Sequence, residues 1–512
     1  MPGAAGSPAS GVKAPVVLTI VALGVFITAL DQTVVVTALP SVMLDMKVPI
    51  ARLDRVSWVV TAYLLGYTVA MPLIGRLADV YGYRLVYWCS LGVFCLGSAL
   101  VAVATNLEWM VAARVVQAVG GGATVPIGMA IAVVALPPHR RGWALGVVGA
   151  AAEAGSMLGP AYGGAIVEFW GWRAIFWLNL PQGALVALAL AWLPGSVRGG
   201  PTPGGHPGGH RVGSRVDYVG GALLIAALTL LSLGLSRGSL FNLSSPVPFA
   251  LILLGLGLAG VLVMVERRRE RPLLPPALFR SWAFIAANAT QLLVGVALII
   301  TMVTIPLMAN TVMGKTPIDG AFWLLRLTAA IPVGAIIGGL VLRRAGTRGV
   351  TVAGLCLVAM GLWLVSGWDL GVDDPELTWH LAVAGFGFGL VIAPLTAKAL
   401  EMAAGEYRGT AAALVVVSRM MGMTLGLAAL SAWGVEQFQI LTAALQLPLP
   451  VPGEGTDMFL SRISAYQEGL NQAGLALFHD FLRVAAAVAL AAILPALAMG
   501  RDKAADGLGE NR

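Results

Sequence analysis

Apolar residues in this chain gather into runs of about 20, the length at which a helix rising roughly 1.5 Å per residue crosses the hydrocarbon of a bilayer. Windows of that size pick out fourteen runs, near 15–39, 56–74, 85–104, 109–134, 143–166, 174–193, 218–235, 247–265, 283–309, 320–341, 350–367, 380–399, 409–435 and 476–499. The pattern predicts an all-α integral membrane protein. The first run is long, follows a single Lys13 and carries Asp31 near its far end, so it reads as a span and not as a cleaved leader.

Composition narrows the function. The chain of 512 residues is 58% hydrophobic and 11% charged, against about 45–50% and 25% in soluble domains. The intervals between runs are too short for a separate catalytic domain of about 100–150 residues. A formal charge of +7 raises nucleic acid as a partner, but the placement of the basic residues argues for none. With both termini cytoplasmic, 21 of the 32 Lys and Arg fall in inner loops and tails, six in outer loops and five within helices. That asymmetry orients a multi-pass protein of the cytoplasmic (inner) membrane. Cys89, Cys95 and Cys356 lie inside apolar runs and read as small core hydrophobes. The five histidines form no metal-type cluster, and no G-x-x-x-x-G-K-[ST] loop offers an ATP motor.

Two stretches punctuate the middle. Residues 195–214 are Gly/Pro-rich and 266–276 are basic and end in prolines, so both read as cytoplasmic linkers. Setting aside the two runs between them leaves six and six. The expected order is a tail (1–14), a six-helix half (15–193), linkers with two extra helices (194–282), a second half (283–499) with a long outer loop (436–474), and a tail (500–512). Two related halves about an axis normal to the membrane place a substrate path between them.

Five segments carry sharper information: Gly75-Arg76-Leu77-Ala78-Asp79-Val80-Tyr81-Gly82-Tyr83-Arg84; Leu30-Asp31-Gln32-Thr33 through Ala38-Leu39-Pro40; Arg114-Val115-Val116-Gln117; Gly155-Ser156-Met157-Leu158-Gly159-Pro160-Ala161-Tyr162-Gly163-Gly164 with Trp172-Arg173-Ala174-Ile175-Phe176; and Arg419-Met420-Met421-Gly422 with Gly426. In the first, Asp79 is placed to accept charge-assisted bonds from Arg84 or a helix N-terminus. In the fourth, Gly155, Gly159 and Gly163 recur on one helix face, and Pro160 removes a backbone hydrogen bond and kinks the rod. Such a helix suits the interface between moving halves.

In this order the segments resemble the motifs of the major facilitator superfamily, and of its fourteen-helix drug:proton antiporter branch. The match departs where Val80 and Tyr83 replace basic residues and Ala118 replaces glycine. The resemblance implies a major facilitator fold and alternating access, with the proton gradient in place of any cofactor.

Charge inside a membrane helix costs about 2.5–3.5 kcal/mol on insertion scales and is functional by default. Asp31 lies near the outer end of its run; the resemblance implies a proton-coupling carboxylate there, with Arg114 as its partner. Glu153 and Arg419 sit mid-way along helices that face one another across the cavity in this superfamily. They are expected to form either a static bridge or a latch that protonation of Glu153 weakens. Arg326 and Arg483 add charge in two further helices, with Arg483 placed to snorkel.

Glu153 also stands where the drug-exporter motif has a small residue. With Val48-Pro49-Ile50, Arg55-Val56-Ser57-Trp58 and Tyr63-Leu64-Leu65-Gly66-Tyr67, it resembles a subgroup that exports triacylglycerides with a periplasmic lipoprotein. The leading expectation is a proton-coupled, multidrug-type exporter of hydrophobic or amphiphilic compounds, neither an enzyme nor a channel. The alternative is a lipid exporter with a lipoprotein partner. A monomer surrounded by membrane lipids is expected in either case.

Overall fold

The apolar runs fold as helices, and no strand occurs among the described residues. The structure is a computed structural model that describes residues 14–49, 52–136, 141–191, 218–235, 246–269, 278–402, 408–449 and 456–499. In chain order the helices are α1 (Ala14–Asp45), the short α2 (Leu53–Val56), α3 (Trp58–Tyr81), α4 (Tyr83–Ala102), α5 (Leu107–Ala135), α6 (Arg141–Trp170) and α7 (Trp172–Ala191). There follow α8 (Tyr218–Leu235), α9 (Val247–Arg267), α10 (Trp282–Thr311), α11 (Pro317–Val365), α12 (Glu376–Met402), α13 (Arg408–Thr442), α14 (Thr456–Ala491) and the short α15 (Ile493–Leu497). Among the described residues eleven helices are long and apolar enough to cross a membrane, with α11 supplying two of them. The runs at 56–74, 143–166 and 218–235 fall on α3, α6 and α8, which lie outside those eleven.

Local chemistry sets the boundaries. Asn106 caps α5 by accepting from the Trp109 backbone N–H at 2.8 Å. Thr316 and Asp319 form a reciprocal capping box at the start of α11. The two spans of α11 are separated by Gly346, whose φ of 68° turns the chain where a side chain would be strained.

We call the two ends of the bundle the Ala14 face and the Asp45 face, after the ends of α1. Exposed aromatics ring both: Tyr81, Trp88 and Trp282 near the Ala14 face, and Trp109, Trp170, Trp363 and Trp379 near the Asp45 face. Such rings mark the interfacial zones of a bilayer. Helices α1 and α3–α7 form one bundle, α10–α14 a second, and α8 with α9 packs beside the seam against α3 and α13. Burial separates centre from edge, with 83% of the apolar window of α10 buried against 11% for α9. Cys89 and Cys356 are exposed and Cys95 half-buried. Their apolar surroundings are therefore partly the lipid-facing surface, because an outward face in a bilayer need not be polar.

The two bundles repeat one packing device. In the first, Gly155, Gly159 and Gly163 of α6 lie on α1, where a Cβ would fall 2.3 Å from the Phe26 carbonyl, 2.0 Å from Thr33 Oγ1 and 2.6 Å from Thr37 Oγ1. In the second, Gly422 of α13 lies on α10, 1.9 Å in the same sense from the Leu292 carbonyl. The glycine row of α6 thus packs within its own half, correcting its assignment to the moving interface. Close helix contact of this kind favours a rigid unit. The adjacent Gly164 is the residue that meets the other half, against Ala321 and Pro317.

Pro160 explains part of the fit. It has no N–H to offer the Ser156 carbonyl four residues earlier, and Thr33 Oγ1 of α1 donates to that carbonyl at 2.8 Å. Gly159→Ala is expected to destabilise the protein by about 1–3 kcal/mol through overpacking. Thr33→Ala in the same chain should recover only part of this, because the Leu30 carbonyl also lies 2.8 Å from the new Cβ. Thermal unfolding in detergent measures both.

Candidate functional site: buried charges and the seam between the halves

Helix α1 continues through Pro40 to Asp45, so Asp31 is mid-helix and wholly buried instead of near an outer end. Arg114, two turns into α5, is equally buried and places Nη1 2.8 Å from Asp31 Oδ2 and 2.7 Å from Gln117 Oε1. The other carboxylate oxygen accepts from Gln117 Nε2 at 2.9 Å and from Asn179 Nδ2 at 2.6 Å. Ser98 Oγ accepts from both amides, at 3.0 and 2.9 Å, and donates to the Phe176 carbonyl at 3.1 Å. Tyr63 closes one side, its ring centroid 3.9 Å from the guanidinium carbon. Five helices contribute to the cluster.

Sequence reasoning did not reach Ser98, Tyr63 or Asn179 as members of this site. Asn179 had a readable signal, since a carboxamide in the apolar run of α7 needs a buried partner. Replacing it by Ala removes a charge-assisted bond to Asp31, with an expected loss of about 1.5–3 kcal/mol. The thermal midpoint in detergent, compared with a surface Asn→Ala control, checks this.

The second pair joins the halves. Arg419 Nη2 of α13 lies 2.8 Å from Glu153 Oε1 of α6. Burial is unequal: the Arg419 side chain is 7% exposed and that of Glu153 55%. Arg419 is held by tight packing, since a Cβ on Gly295 of α10 would fall 2.1 Å from its carbonyl. Nearby, Gln32 Nε2 points at Met420 Sδ at 2.9 Å, and Val416 and Val417 pack on the cluster of Tyr63, Tyr67 and Met71. Towards the Asp45 face the seam is continued by Thr328, donating to the Met157 carbonyl at 3.1 Å, and by the Gly164 contact. On the Ala14 side of these contacts Gly149 and Gly339 each have open space where a side chain would project. Contacts between the halves thus run from Val416 and Val417 through the ion pair to Gly164.

The remaining candidates have local roles. Arg84 Nη2 donates to the Ala191 carbonyl at 2.9 Å, binding the C-terminal end of α7, while the Asp79 side chain lies outside the described residues. Arg326 Nη2 sits 2.9 Å from Asp374 Oδ2 at the Asp45 face. The Thr378 hydroxyl, 2.5 Å from the other oxygen, and Arg326 together hold the Asp374 carboxyl below the usual carboxylate range. Their contribution is present at neutral pH and is lost as pH falls through that lowered pKa.

Two interlocked helical halves with, among the described residues, one buried charge cluster and one charge pair across the seam agree with the sequence match. Residues 21–427 fit the family model described as the Major Facilitator Superfamily. The chain belongs to this superfamily. Among major facilitators, the triacylglyceride transporter of Mycolicibacterium hassiacum is 40% identical over 453 residues, covering 84% of this chain and 82% of the relative. That of Mycobacterium tuberculosis is 35% identical over 507 residues, covering 94% of each. A bacterial homologue of the human lysosomal transporter Spinster, solved in an inward-facing and unoccupied conformation, has the same facilitator fold. It aligns with a TM-score of 0.61 at 17% identity, over 97% of this chain and 100% of that one. A major facilitator fold supports a transport role and not an enzymatic one.

Proposed function

We propose that this protein exports triacylglyceride-like lipids by alternating access of its two halves, driven by proton entry. The observation that carries the reading is the Glu153–Arg419 pair, in which a water-accessible acid holds a buried base across the seam. Protonation of Glu153 removes the charge that holds Arg419 and weakens the closed seam, biasing the halves towards another state. Asp31 is the second coupling carboxylate, buried among donors that a proton would displace.

The cargo is supported by relatives 35–40% identical that are named triacylglyceride transporters. In this reading fourteen helices span the cytoplasmic membrane, as in the drug:proton antiporter branch. The Ala14 face, with both termini, lies inside the cell, where 21 basic residues favour it. On the outer side α13 and α14 run past their apolar windows and pack as a hairpin, with Leu445 against Gly469. That hairpin suits hand-over to a periplasmic lipoprotein. The protein works as a monomer, needs no cofactor beyond the proton gradient and binds no nucleic acid.

Multidrug-type efflux is the second reading, favoured by the antiporter motifs around Asp31 and Pro160. Proteoliposomes carrying labelled triacylglyceride, with a lipid acceptor outside, separate the two. Lipid release that follows an imposed pH gradient is expected. Equal release at zero gradient removes the proton drive, and gradient-driven export of cationic dyes without lipid release selects multidrug efflux.

A further inference from the structure

On the outer surface of the second half, away from the seam, α14 carries one charge in an otherwise apolar stripe. Its core side buries Phe478, Phe481, Leu482 and Ala485. The outward positions are Arg483, Ala487 and Leu490, spaced as one helix face. The second span of α11 runs antiparallel beside it. Arg483, Ala487 and Leu490 of α14 and Trp363, Met360 and Cys356 of α11 line a shared groove of about 320 Å³. From Trp363 to Cys356 and from Arg483 to Leu490 are equal steps along opposed helices. His479, one turn towards the Asp45 face from Arg483, meets the Trp368 backbone, which sets Arg483 near the level of Trp363.

The depth and chemistry of the groove select its occupant. Trp363 is 63% exposed and belongs to the aromatic ring near the Asp45 face, so Arg483 lies at the interfacial level. The Arg483 side chain is 52% exposed and, among the described residues, makes one hydrogen bond, from Nη1 to Asp480 Oδ1 at 3.2 Å. Asp480 is drawn the other way by Gln437, whose Nε2 donates to Oδ2 at 3.2 Å. A guanidinium has five N–H donors in a fork suited to two phosphate oxygens. Below it the groove offers only apolar walls, floored by the small side chain of Ala487 where an acyl chain needs room.

We propose that this groove is a binding site for a glycerophospholipid of the leaflet at the Asp45 face. The phosphate accepts from the free edge of Arg483, and one acyl chain descends over Ala487 between Met360 and Leu490. The site lies outside the transport path and does not depend on the identity of the cargo.

Native mass spectrometry of the full chain with added dioleoyl phosphatidylglycerol, or with dioleoylglycerol lacking the phosphate, tests the proposal. The wild type should retain one more phosphatidylglycerol than diacylglycerol under matched activation. Arg483→Gln should weaken that retention about tenfold or more, the scale of charged hydrogen bonds. Ala487→Phe, which keeps the charge and fills the groove, should weaken it as well and covers the case in which Arg483→Gln fails to fold. Equal retention of the two lipids, or unchanged phosphatidylglycerol retention in a folded variant, overturns the site.

Discussion

Glu153→Gln is expected to abolish the pH-gradient dependence of lipid export, lowering gradient-driven release by about 5–150-fold, the range of a 1–3 kcal/mol coupling between sites. The amide keeps the size of the side chain and one acceptor for Arg419 Nη2, but it removes the charge and the proton site. Arg419→Gln removes the same pair from the other side with a different stability cost. In Glu153→Gln a guanidinium 7% exposed is left without its counter-charge, whereas in Arg419→Gln the stranded carboxylate is 55% exposed and still hydrated. The Glu153 variant should therefore unfold at the lower temperature although it alters the more exposed residue. Both variants should lose gradient-driven release if the pair is a latch. A static bridge predicts the unfolding difference with release still following the gradient, so release and thermal unfolding measured together separate the two.

Much of this arrangement was legible in the sequence because a bilayer makes polarity expensive. An acid at 153 and a base at 419 within apolar runs each demanded a partner, and the structure sets them 2.8 Å apart. Asp31 and Arg114 were readable on the same ground. What sequence could not supply was direction. The glycine row of α6 declares a close helix contact but not which helix, and it lies on α1 because Thr33 and Thr37 there meet the Ser156 and Pro160 carbonyls. The run containing Asp31 ended too early because Pro40 and Asp45 look like a boundary, while the helix passes through both positions. Ser98 was hidden because a serine in an apolar run has many local solutions, and only the packing of α4 on α5 and of α7 on α1 and α4 brings it and Asn179 to Asp31. The cysteines misled for a related reason: an apolar neighbourhood means core in water, but core or lipid in a membrane.

Asp31→Asn is expected to lower stability by about 3–5 kcal/mol, the cost of leaving a buried charge uncompensated. The site offers Arg114 little relief. It is fully buried, its Nη2 has no hydrogen-bond partner among the described residues, and its remaining contacts there are Gln117, the Val59 carbonyl and the Tyr63 and Phe176 rings. The new amide must also turn its donor either towards the Arg114 guanidinium or towards the donors of Gln117 and Asn179. Adding Arg114→Gln to Asp31→Asn should restore part of the loss, since the second change removes the uncompensated charge. The double variant should thus unfold at a higher temperature than Asp31→Asn alone, a non-additivity expected for residues in contact or in one hydrogen-bond network. Transport should not follow stability: neither the single nor the double variant offers a carboxylate to accept the proton, so gradient-driven release should stay lost in both. A double variant that regains gradient-driven release together with its unfolding temperature would show that Asp31 acts only by holding Arg114, and the proton would then enter through Glu153 alone.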